Sequence, residues 1–122
     1  MMKEKLPAEP ADIKKKKPDS KLNMKSIQNL ITKEKLDKYF DVTGKALKKI
    51  KLCSPVKTHL NIVAKDYLDM AQRYFEDAKH FEKSGDFINA FAALNYAHGW
   101  LDAGARIGIF DVEHDNTLFT VD

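Results

Sequence analysis

Arg73 and His80 are the two side chains of this 122-residue sequence whose spacing best suits catalysis. They stand seven apart, so two helical turns would bring both to one face. An imidazole that moves a proton, beside a guanidinium that steadies phosphate charge, is a chemically sensible pairing. Spacing of this kind also arises by chance, so the pair is a candidate and no more. Asp77-x-x-His80 imitates half of a carboxylate-bridged metal site, and His98 and Asp102 stand four apart. In a hairpin turning at Gly85, position 80 faces about position 90, while 98 faces about 72. The gap is about 12 Å at about 1.5 Å per residue, too wide for one ion. No Cys-rich or HExxH spacing exists either, so neither a metal nor a cofactor is expected. The same register sets Asp102 near Asp69 and Arg73, and Arg106 near Asp66. It predicts a structural ion network of Asp66, Asp69, Arg73, Asp102 and Arg106. His98, beside Trp100, reads as a hydrogen-bonded, part-buried histidine. Cys53 has no base in view, and no glycine-rich phosphate loop or nucleophile elbow is present.

Helices must hold these side chains, and the hydrophobic spacing predicts three, over about 32–51, 57–83 and 87–107. Leu36, Tyr39, Phe40, Thr43, Ala46 and Leu47 draw one apolar stripe on the first, with Thr32 as its N-cap. Leu60, Ala64, Tyr67, Ala71, Tyr74 and Phe81 continue the pattern on the second. Gly85 suits a left-handed cap and Asp86 the next N-cap, so helices two and three form an antiparallel hairpin. The third is apolar nearly all round. Beside its main stripe, Ile88, Ala92, Tyr96, Trp100, Ala103 and Ile107 form a second. With two partner helices, that second face needs cover from the chain's own termini or from a second copy. A homodimer is the favoured expectation. Gly99 and Gly104 point to close packing and Gly108 to a helix stop. Leu118 to Val121 reads as an extended segment that packs back on the bundle or pairs as a short strand. The expected fold is an all-α, antiparallel three-helix bundle over 26–122. A short extended C-terminal tail closes it, and a disordered Lys-rich arm precedes it over 1–25.

Charge is unevenly placed. Residues 1–58 hold 16 Lys and 7 acids; residues 59–122 hold 5 Lys or Arg and 11 acids. Lys14, Lys15, Lys16 and Lys17 on the arm, with Lys38, Lys45, Lys48 and Lys49 on the first helix, are the nucleic-acid candidates. An all-Lys half offers point charges, which suit loose phosphate attraction better than base reading. A lone Cys53, an N-terminus without an apolar core and a longest uncharged run of Phe87–Leu101 predict a cytoplasmic protein that does not enter membranes.

The run DYLDMAQRYFEDAKHFEKSGDFINAFAALNYAHGWLDAGARIGIF resembles domain-of-unknown-function family 357, with NYAHGWLDAGARIG, Asn95 to Gly108, its most telling part. The resemblance spans about 32–121 and continues into LFTV. It implies a small antiparallel bundle of three main helices and an archaeal source. It implies no activity, so no functional residue is carried over. EKSGDFINAFAALNYA is also similar to the turn of a tetratricopeptide helix pair, without the repeat that would make one. The Arg73–His80 spacing resembles the Arg–His pair of HEPN-type RNases, though in that family the pair lies later in the bundle. The leading expectation is a non-enzymatic helical interaction module, homodimeric through the third helix or bound to an unknown protein. The alternative is a nucleic-acid binder using the lysines; the third is a HEPN-like RNase using Arg73 and His80.

Overall fold

In the computed structural model the described residues are 27–121. The arm over 1–25, with Lys14 to Lys17, lies outside them. Three helices follow the three periodicities: α1 (Lys33–Lys49), α2 (His59–Lys83) and α3 (Phe87–Ile107). Each begins on a side chain that accepts a backbone N–H left unpaired by the first turn. Thr32 accepts from Lys35 at 3.1 Å, Thr58 from Asn61 at 3.2 Å and Asp86 from Asn89 at 3.1 Å. The second helix starts later than the spacing suggests because Lys57 is left-handed, at φ 62°. The first stops earlier because Ile50 turns extended, at ψ 144°, and leads into β1 (Lys51–Leu52). Gly85 and Gly108 end α2 and α3 at φ 81° and 83°, where a side chain would be strained.

The helices run up, down and up. Lys33 at the start of α1 reaches Glu82 near the end of α2, at 3.3 Å. Tyr39 packs edge-on against Phe91 at 4.6 Å between ring centroids, so α1 lies parallel to α3. The α2–α3 hairpin is the main pairing; α1 packs on α3 and only lightly on α2. Leu36, Tyr74, Leu94 and Ala78 fill one half of the core. Ala46, Leu101, Phe110 and Phe119 fill the other. Each buried Leu contributes about 2 kcal/mol of apolar transfer.

After α3 the chain reverses at Gly108, and β2 (Phe110–Asp111) pairs antiparallel with β1, Lys51 opposite Asp111 and Leu52 opposite Phe110. The short strand thus falls at Phe110–Asp111 rather than in Leu118–Val121. That last segment packs back in turns, with Phe119 buried. A Cβ at Gly104 would collide with the Phe110 ring, so this glycine admits the returning strand.

Candidate functional site

One face of α3 touches α2 only along one edge, through Tyr96 and Trp100. Ile88, Ala92, Tyr96, Ala103 and Ile107 are exposed along it, and Trp100 is half-buried at its edge. Tyr96 packs edge-on against Tyr74 at 4.4 Å and Trp100 against Tyr67 at 4.9 Å, measured between ring centroids. These contacts hold the aromatic side of the row in place while leaving one flank open. A hollow of about 250 Å³ lies beside them, lined by Tyr67, Tyr96, Trp100 and Ala103. Tyr67 therefore belongs to this surface. The sequence signal for it was present, since Tyr67 lies on the α2 stripe, but the stripe does not show which of its members reach the edge.

The other flank of α3 is polar and holds the tail. The Leu118 carbonyl can only accept, so His98 Nε2 carries the proton and donates to it at 2.6 Å. In the neutral ring Nδ1 then accepts from the Thr43 hydroxyl at 3.1 Å. One turn on, Asp102 accepts from the Thr120 backbone N–H at 2.9 Å and from its hydroxyl at 3.1 Å. One further turn on, Arg106 donates to the Thr120 carbonyl at 3.1 Å. The histidine is part-buried and bonded, as its setting in the sequence suggests.

The five-residue ion network does not form. Arg73 pairs with Asp69 on its own helix at 2.8 Å, on an exposed surface. Asp102 and Arg106 turn to the tail instead, and Asp66 is exposed on α2. The hairpin register sets the height of Asp102 along the bundle but not the direction in which it points. The N–H and hydroxyl of Thr120 hold Asp102, and the Thr120 carbonyl holds Arg106.

A cleft of about 420 Å³ between α1 and α3 is lined by Lys38, Tyr39, Thr43, Asn95, His98 and Asp102. Its histidine and carboxylate are already engaged by Thr43 and by the tail. Arg73 and His80 are both exposed on α2, with Arg73 tied to Asp69. Lys45 pairs with Asp41 at 2.8 Å and Lys49 with Glu113 at 3.6 Å; Lys38 and Lys48 are exposed. Burial raises the Tyr74 phenol above its ordinary pKa, with Tyr96 and Asp77 adding to the effect. The described residues hold no cluster of three or more His, Cys, Asp or Glu able to bind a metal ion. No helix among them is long and apolar enough to cross a membrane.

A family model described as "Protein of unknown function (DUF357)" matches residues 38–110. No curated protein and no solved structure matches the chain. The matched span holds most of α1, all of α2 and α3, and the first residue of β2. The chain belongs to the DUF357 family of proteins of unknown function.

Proposed function

We propose that this protein is a helical interaction module of the cytoplasm that pairs with a second copy of itself through the free face of α3. One observation carries the reading: a folded row of apolar side chains that the described residues cover only along the edge toward α2 and beside Ile88. Ile88 is 67% exposed, Ile107 60% and Tyr96 47%. Contiguous apolar surface of this kind marks an interaction site. The row has aromatic anchors at its middle, where binding energy concentrates. None of its six members is charged, so two copies can meet along it without burying like charges from the row itself. Helix-one lysines support a nucleic-acid role less well, because two of the four are paired with acids.

The test is the mass in solution, by light scattering, of the wild type and of Trp100→Glu and Ile88→Glu. The wild type is expected at twice the chain mass and both variants at the chain mass. Loss of the Trp100 contact is expected to cost about 2 kcal/mol or more of association. Ile88 is exposed enough that its variant folds, which keeps the test clear of instability at Trp100. A monomeric wild type overturns the reading. If that monomer binds RNA with an affinity that falls steeply as salt rises, the lysine face takes its place.

A further inference from the structure

We propose that the two copies lie antiparallel, α3 against α3, about a two-fold axis that passes between Tyr96 and Trp100. The proposal rests on the dimer reading above and adds its geometry. The exposed row is the same in kind from either end: Ile88, Ala92, Tyr96, then Trp100, Ala103, Ile107. Turning one copy end for end sets Ile88 over the partner's Ile107 and Ala92 over the partner's Ala103. The aromatic pair of each copy meets that of the other at the centre. A two-fold interface requires this reciprocity, in which one residue contacts a second and the second contacts the first.

One further observation agrees. Gly99 stands within α3, next to the axis, where a Cβ would meet nothing within 4 Å. Glycine lowers helix stability, and at Gly104 the Phe110 ring explains it. At Gly99 nothing among the described residues does, and the close approach of a second helix supplies the reason.

Cysteine cross-linking tests the direction. In a Cys53→Ala background, Ala92→Cys and Ala103→Cys place thiols on the exposed row. Disulfides need Cβ atoms about 4 Å apart. After subunit exchange and mild oxidation, the mixed Ala92→Cys and Ala103→Cys pair is expected as the dominant covalent dimer. Cross-linking of either variant alone is expected to be lost. Self-cross-linking of Ala92→Cys, or no covalent dimer from either preparation while the mass stays at two chains, overturns the antiparallel arrangement alone. A wild type at the mass of one chain overturns the dimer reading beneath it.

Discussion

His98 holds Leu118 by donating from Nε2 to its carbonyl oxygen at 2.6 Å, across twenty positions of sequence. The same ring accepts from Thr43 on α1. One side chain therefore ties the tail, the first helix and the third. Changing His98 to Ala leaves a part-buried carbonyl and a buried hydroxyl unpaired, and is expected to cost about 1–3 kcal/mol of stability. Urea unfolding of the two proteins measures it; an unchanged midpoint would mean the tail is held by Asp102, Arg106 and Phe119 without help from His98.

The two mid-helix glycines should respond oppositely. Gly104→Ala drives a methyl group into the Phe110 ring and is expected to destabilise by about 1–3 kcal/mol. Gly99→Ala, placed in the Ile88→Glu background, meets open space and is expected to stabilise by about 1 kcal/mol. Thermal melts of both variants decide it, and a shared sign would contradict the packing described for α3.

Acid should loosen the turn that returns the tail. The Thr117 hydroxyl, then the backbone N–H groups of Thr117 and Leu118, donate to Asp115 and hold its carboxyl below the usual carboxylate range. The pKa is lower folded than unfolded, so this contribution is present above about pH 4, the ordinary Asp value. It fades as pH falls through the lower folded value. A carboxyl-carbon NMR titration of Asp115 checks the direction. Asp115→Asn should remove this part of the acid dependence.

Arg73→Ala should change stability by less than about 0.5 kcal/mol, because its pairing with Asp69 is exposed and well solvated. A loss several times larger in the same melts would restore the wider ion network. His80→Ala should leave the fold equally intact, since His80 is exposed.

The helices were legible because apolar periodicity and end residues agree. Thr32 and Asp86 have oxygen-bearing side chains before an apolar stripe, and Gly85 and Gly108 accept the left-handed geometry that helix ends demand. Asp102 and Arg106 were misplaced for a reason that spacing cannot remove. Their four-residue step shows that they share a face, and the hairpin shows at what height, but rotation about the helix axis is set by α1 and the tail together. The clamp of His98, Asp102 and Arg106 did leave a trace, since polar groups recur at each turn of an otherwise apolar helix. What the trace lacks is its partner, because a carbonyl acceptor belongs to every residue. The strand at Phe110–Asp111 was missed for a similar reason: with two residues on each side, pairing depends on where Gly108 aims the chain.

Trp100 is the single tryptophan of the chain, and it stands at the edge of the free α3 face between Tyr67 and Tyr96. The molecule thus carries its own optical reporter at the surface in question. Its indole emission responds to the water around it, so covering the row would shift that emission to the blue, with neither label nor substitution.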